Sequence, residues 1–315
     1  MKKTLLALAV VAASGAAFAQ SATLSGSYVF GYQSTKVGGV TTAGIGTDTA
    51  AIALVATEDL GGGLKATAKV SLGGMMRDGA GTGEDASLSL SGGFGTLTMG
   101  SIESDDGLSR AYAGAPVIGL DGKVHGGNTN IDVIGYTSPQ LAPGLTAGVS
   151  YVDRGTTVGT GLAAGTTGAA AAQPSLTGNL TYGAGPISAR FDVTSWTRQS
   201  AADVTSNTNK NRFRVSGNYD LGMAKVGLGY AQLKRTTGTK TTQLEAGVSA
   251  GFGATTVGAV YEELKTTGAA KKSGFTVGAQ YNLSKRTNVS AGYATWKTAG
   301  ASSDTSFRVL VGHSF

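Results

Sequence analysis

The chain has 315 residues, a formal net charge of +6, 41% hydrophobic residues, only 14% charged residues and no cysteine. Soluble domains carry about 25% charged residues, so this chain is short of the groups that wet a globular surface, and without thiols it holds no disulfide framework, haem attachment or thiolate metal site. Its two histidines, His125 and His313, leave little material for metal or triad chemistry.

The first predicted element is a targeting segment. Lys2 and Lys3 form a basic start, Leu5 to Ala13 is an unbroken apolar run, and Ala17-Phe18-Ala19 is a small-x-small cleavage site. The run is shorter than the about 20 residues that cross a bilayer as a helix, and no later run is longer. A signal peptide over 1–19, cleaved after Ala19, and one domain over 20–315 are expected.

From Leu24 onward the apolar residues alternate with period two, over windows of about eight to eleven residues. Leu64, Ala66, Ala68, Val70 and Leu72 face one side, and Lys65, Thr67, Lys69 and Ser71 the other. The split recurs at Ile187, Ala189, Phe191 and Val193 against Ser188, Arg190, Asp192 and Thr194, and at Phe213, Val215 and Tyr219 against Arg212, Arg214, Ser216 and Asn218. Phe307, Val309, Val311, His313 and Phe315 repeat it at the end of the chain.

Sixteen such segments begin near Leu24, Thr49, Leu64, Ala86, Thr96, Thr129, Leu145, Ser175, Ile187, Arg212, Ala224, Thr241, Ala254, Ser273, Thr287 and Thr305. Seven connections are short and rich in Gly, Pro or Asn: Glu58–Gly63, Gly92–Gly95, Ser138–Gly144, Gly183–Pro186, Asp220–Met223, Ala250–Gly253 and Asn282–Arg286. They alternate with eight mostly longer polar stretches, among them Ser101–Asn128, Gly155–Pro174 and Arg198–Asn211. Short turns at one end and long loops at the other describe an all-β fold, a 16-stranded antiparallel transmembrane barrel. The physical reason is that strands cross lipid only when closure leaves no unpaired backbone edge. Tyr182, Tyr219 and Tyr281 each end a strand before a short turn on the apolar face, as an interfacial aromatic girdle requires.

Four segments resemble the general diffusion porins of Gram-negative outer membranes, of the beta-proteobacterial type. They are Thr57-Glu58-Asp59-Leu60-Gly61-Gly62-Gly63-Leu64-Lys65-Ala66, Ser89-Leu90-Ser91-Gly92-Gly93-Phe94-Gly95-Thr96-Leu97, Leu283-Ser284-Lys285-Arg286-Thr287 leading to Tyr293, and Gly312-His313-Ser314-Phe315. The resemblance implies a homotrimer in outer-membrane lipid and lipopolysaccharide, with a third outer loop, here Ser101–Asn128, folded into the lumen. It also implies that Phe315 is a signal for the barrel assembly machinery, and that the function is passive diffusion of ions and small hydrophilic solutes. The sequence departs from the family where arginines are expected beside the constriction: those positions fall near Ala51, Asp85, Ser101 and Thr129.

Charged rings set ion preference in a pore. The lumen-facing sets hold Lys65, Lys69, Arg190, Asp192, Arg212, Arg214, Lys225, Glu245 and Arg308, and the loop adds Glu103, Asp105, Asp106, Arg110, Asp121 and Lys123. A transverse field between Glu103, Asp105 and Asp106 and the bases Lys65 and Lys69 is the expected selectivity device. His125 is expected at the loop surface and His313 on the lipid-facing row. A surface-binding or adhesion barrel is the alternative function, although the loop Gly155–Gln173 lacks the aromatic and Arg anchors of binding hot spots. The histidines suggest no catalytic triad, and no cofactor, metal or nucleic-acid partner is called for.

Overall fold

The computed structural model describes residues 20–75, 81–104, 107–127, 130–153, 174–197 and 208–315. The signal segment 1–19, the acids Asp105 and Asp106, Thr129 and the loop 155–173 lie outside the described residues. Sixteen strands are present: β1 (Ser21–Val37), β2 (Val40–Gly61), β3 (Leu64–Gly73), β4 (Thr82–Gly92), β5 (Gly95–Glu103), β6 (Asn130–Thr137), β7 (Leu145–Asp153), β8 (Ser175–Ala184), β9 (Ile187–Trp196), β10 (Asn209–Asp220), β11 (Ala224–Arg235), β12 (Lys240–Phe252), β13 (Thr255–Thr266), β14 (Lys272–Asn282), β15 (Thr287–Thr298) and β16 (Asp304–Ser314).

Each strand pairs antiparallel with its neighbours in sequence, and β1 also pairs with β16, which closes the barrel. At the seam Ser27 lies opposite Ser314 and Lys36 opposite Thr305. The last residue completes the ladder, because Gly26 and Phe315 exchange two backbone hydrogen bonds of 3.0 Å. The Phe315 ring covers Gly26 on the outward face, where any larger residue would meet it.

The two faces follow the alternation read from the sequence. Outward rows expose Leu180, Phe191, Val193, Phe275, Val277 and, at 67% exposure, Leu228. Inward rows bury Asp192, Thr194, Arg214, Ser216, Glu262 and, at 0% exposure, Glu245. Large apolar groups outside and charges inside suit a wall with lipid on one side and a polar lumen on the other. Tyr182, Tyr219 and Tyr281 lie exposed on the outward face near the short turns.

The seven short connections fall at 62–63, 93–94, 138–144, 185–186, 221–223, 253–254 and 283–286, as expected. The first outer connection differs from expectation. The β1–β2 ladder runs from Ser21 opposite Thr57 to Val37 opposite Val40, with one bulge between Val29 and Phe30. Only Gly38 and Gly39 turn the chain, at φ +57° and +87°. Two consecutive residues with positive φ make the tight hairpin turn that suits strand twist, so the polar run 40–48 is a strand rather than a loop.

Candidate functional site

Residues 107–127, between β5 and β6, turn into the lumen. Leu108, Ala111, Ala113, Ile118, Leu120 and Val124 of this loop are buried, as the inward fold implied by the resemblance requires. A single 3-10 turn, Ser109–Tyr112, ends at Ala113 with φ +53°. Ala115 donates its N–H to the Tyr112 carbonyl, and Val117 donates to that of Ala115, so the segment folds compactly upon itself.

What the loop rests on is a groove of glycines. Gly227 pairs with Gly247 across β11 and β12, and Gly258, Gly278 and Gly292 lie side by side on β13, β14 and β15. A Cβ on Gly227 or Gly247 would meet the backbone at Ala111, one on Gly278 the Pro116 carbonyl, and one on Gly292 the Ile118 side chain. Glycine allows close backbone approach, and here it lets the loop lie flat on the wall. Wall side chains donate to loop carbonyls and tie the two together: Ser216 Oγ to that of Gly107 (2.8 Å), Asn218 Nδ2 to that of Arg110 (3.1 Å), and Ser249 Oγ to that of Ala113 (2.6 Å). Farther along, Ile118, Leu120 and Val124 pack against Ala294 and Trp296 of β15. Sequence reasoning missed this groove; its signal was glycine recurring at inward parity on five consecutive strands.

The expected site residues separate into groups. Arg214 meets Asp192 at 2.9 Å through Nε, and Arg190 lies 3.5 Å from the same carboxylate. Arg212, on the same inward row of β10, stacks over Trp196 at 5.5 Å. Arg110 reaches from the loop to donate to Ser188 Oγ at 3.2 Å, two residues from Arg190. Four guanidinium groups thus gather on β9, β10 and the facing turn, with Asp192 as the carboxylate among them.

Lys65 and Lys69 lie on β3, across the barrel from this cluster. Lys69 pairs with Asp85 at 2.9 Å, and the Glu103 N–H donates to the other oxygen of Asp85 at 2.9 Å. The structure therefore brings Lys69 and the Glu103 backbone to one carboxylate, Asp85, near which the resemblance implies an arginine. Ser101 is held by a hydrogen bond to Asp132. Elsewhere on the inner wall Arg308 pairs with Asp48 at 2.9 Å and Lys225 with Asp220 at 3.1 Å. A recess of about 220 Å³ between the loop and the wall is lined by Asp48, Pro116, Ile118, Ser290 and Arg308. Lys123 donates to the Gly119 carbonyl and lies over Trp296; burial, and then the charge of Arg308, lower its pKa.

His125 corrects the sequence reading. It is buried rather than at the loop surface, with Nε2 at 2.6 Å from Glu262 and 3.3 Å from Glu245, and Nδ1 at 3.3 Å from Asp121. The loop turns inward, so a residue that would be wet on an outer loop sits against β12 and β13. Burial disfavours the charged ring, but Glu262, then Glu245 and Asp121, outweigh it and the pKa is pushed up to about 9. Tyr112 donates its hydroxyl to Glu262, and its phenol pKa is raised by burial and next by the Glu262 charge. His313 is exposed on the outward row as expected, beside Thr287 Oγ1 at 2.9 Å.

Comparison with known proteins gives a consistent picture. The family described as Gram-negative porin matches residues 5–301. Outer membrane porin protein 32 of Delftia acidovorans is 31% identical over 348 aligned positions, covering 96% of this chain and 91% of that one. An anion-selective porin from Comamonas acidovorans superposes with a TM-score of 0.71 at 24% identity, over 94% of this chain and 100% of that one. The trimer form of OmpT, an outer membrane protein of Vibrio cholerae, gives a TM-score of 0.71 at 15% identity over the same shares.

Proposed function

Because the chain belongs to the Gram-negative porin family, we propose that its passage favours anions, through the guanidinium groups of Arg110, Arg190 and Arg212. The protein is an outer-membrane porin: a passive, water-filled channel for ions and small hydrophilic solutes, with no chemical step. The observation that carries the selectivity reading is one basic stretch of the lumen, with Arg190 and Arg214 at Asp192, Arg110 at Ser188 and Arg212 over Trp196. Arg214 is buried against Asp192, whereas Arg110, Arg190 and Arg212 keep partial exposure, and their positive charge contributes to the field that passing ions meet. Lys65 on the far wall adds to them, while Lys69, Asp85 and Glu103 form a local group with a net charge of −1. The name of the Comamonas acidovorans neighbour, an anion-selective porin, agrees with this assignment.

We propose the remaining assembly on the basis of that family membership. The signal peptide is removed after Ala19, Phe315 is read by the barrel assembly machinery, and the mature chain forms a homotrimer in outer-membrane lipid and lipopolysaccharide. The trimer form of the Vibrio cholerae neighbour supports that stoichiometry.

The test is a reversal potential in a planar bilayer under a potassium chloride gradient. The wild type is expected to prefer chloride. A unit charge about 4 Å from an ion is worth about 1 kcal/mol in water, so the triple variant Arg110→Gln, Arg190→Gln, Arg212→Gln should lower the anion-to-cation permeability ratio several-fold. A cation-selective wild type, or a triple variant with an unchanged reversal potential, would reject the assignment.

A further inference from the structure

Glu245 on β12 and Glu262 on β13 lie directly opposite each other in the ladder, both pointing inward and both fully buried. Like charges at paired positions repel, and a buried carboxylate needs a partner. The surrounding wall gives little help: β14 presents Gly274 and Thr276 nearby, and Gln243 donates to Glu245 Oε1 at 2.7 Å. The cation comes from the third loop. His125 faces both glutamates through Nε2 and Asp121 through Nδ1. A carboxylate oxygen facing each ring nitrogen favours the doubly protonated imidazolium.

We infer that His125 is the positioning residue of the third loop: its ring, clamped by Glu245 and Glu262, holds the loop's returning limb on β12 and β13 and thereby fixes the width of the passage. The outgoing limb is seated by shape, through the glycine groove, and by hydrogen bonds to backbone carbonyls. The returning limb adds charge to the apolar packing of Ile118, Leu120 and Val124 on β15. Every group facing the ring fits this role. Asp121 and the Tyr112 hydroxyl come from the loop itself, and Glu245 and Glu262 from the wall. Lys123, on the same turn as Asp121, directs its ammonium to the Gly119 carbonyl and over Trp296.

The clamp makes loop position depend on pH, with a definite sign. The ring's pKa is raised from 6.5 to about 9 when the loop is seated. A raised pKa favours the seated loop fully below pH 6.5, and the advantage is lost as pH rises through 9. Between those limits the ratio of seated to released loop falls by up to about tenfold per pH unit. Above them the paired glutamates lack their counter-charge.

Two readouts test this. The first is single-channel current in symmetric potassium chloride between pH 6 and pH 9.5. The second is the mobility of a nitroxide on Gly119→Cys, a unique attachment point in a chain without native cysteine. In the wild-type background we expect a steady current and an immobilised label at pH 6, with flickering between levels and a mobile label above pH 9. His125→Asn should flicker, and carry a mobile label, at both extremes. Combining it with Glu245→Gln and Glu262→Gln, which removes the repulsion, should remove the pH dependence and restore a steady current. The wild-type titration needs no variant to fold. Wild-type current and label mobility that do not change from pH 6 to pH 9.5 would overturn the inference. So would a His125→Asn channel that keeps the wild-type pH profile.

Discussion

Asp192→Ala should destabilise the barrel by about 3–5 kcal/mol, the cost of leaving a buried charge without its partner. Asp192 is completely buried and Arg214 is 5% exposed. Arg214 Nε contacts both carboxylate oxygens, at 2.9 and 3.1 Å, and Arg190 faces one of them. Without the carboxylate, two guanidiniums stand close together on a wall that offers little solvent. The double variant Asp192→Ala, Arg214→Met removes both charges of the tight pair and should lose much less, since a buried ion pair replaced as a whole by apolar groups is often near neutral. Denaturant unfolding in detergent micelles measures this by fluorescence, with Trp196 at the end of β9 and Trp296 on β15 as reporters. A single-variant loss under about 1 kcal/mol would mean that water already screens the cluster, as it does at exposed pairs.

The second large effect concerns the groove. Gly247→Val and Gly278→Val place side chains where the loop backbone runs, at Ala111 and Tyr112 in one case and at Pro116 and Val117 in the other. Neither glycine has positive φ, so the substitutions cause no backbone strain and act by volume alone. Overpacking of this kind costs about 1–3 kcal/mol, and the movable partner is the loop. The expected result is a folded barrel whose loop is pushed off the wall toward the centre, with unitary conductance reduced in the single variants and reduced further in the pair. Gly251→Val is the control, because a side chain there meets nothing. Equal conductance in Gly247→Val, Gly278→Val and Gly251→Val would show that the loop does not depend on the groove.

Much of the fold was legible because a membrane barrel leaves its pattern in every strand. Period-two alternation at Leu64–Leu72 or Ile187–Val193 specified which face meets lipid, and the seven Gly-, Pro- or Asn-rich turns set the strand count. The β1–β2 hairpin was harder to read. Its outer half, rich in Thr and Gly from 40 to 48, carries no apolar row because it needs none, so only the paired backbone marks it as a strand. The charges were legible as a set and not as partners. Arg190, Asp192 and Arg214 share one inward face in the sequence, but that Asp192 serves two arginines depends on the β9–β10 register. His125 was misread for a different reason. A histidine in a polar loop looks wet until the loop's destination is known, and that destination is written in glycines and glutamates more than a hundred residues away.

The seating of the third loop also imposes an order on how the chain is put together. Ala113 rests on Ser249, 136 residues later, and Tyr112 on Glu262, 150 residues later. The loop emerges when only five strands have been made, yet its resting place spans β10 to β15. Contacts so distant in sequence form late. A partly assembled sheet therefore carries an undocked loop whose Leu108, Ile118 and Leu120 have nothing to cover them, and docking becomes the closing event of maturation rather than an early one. A chain ending before β13 would form hairpins but never seat its loop, and protease sensitivity within 107–127 would report how far assembly had advanced.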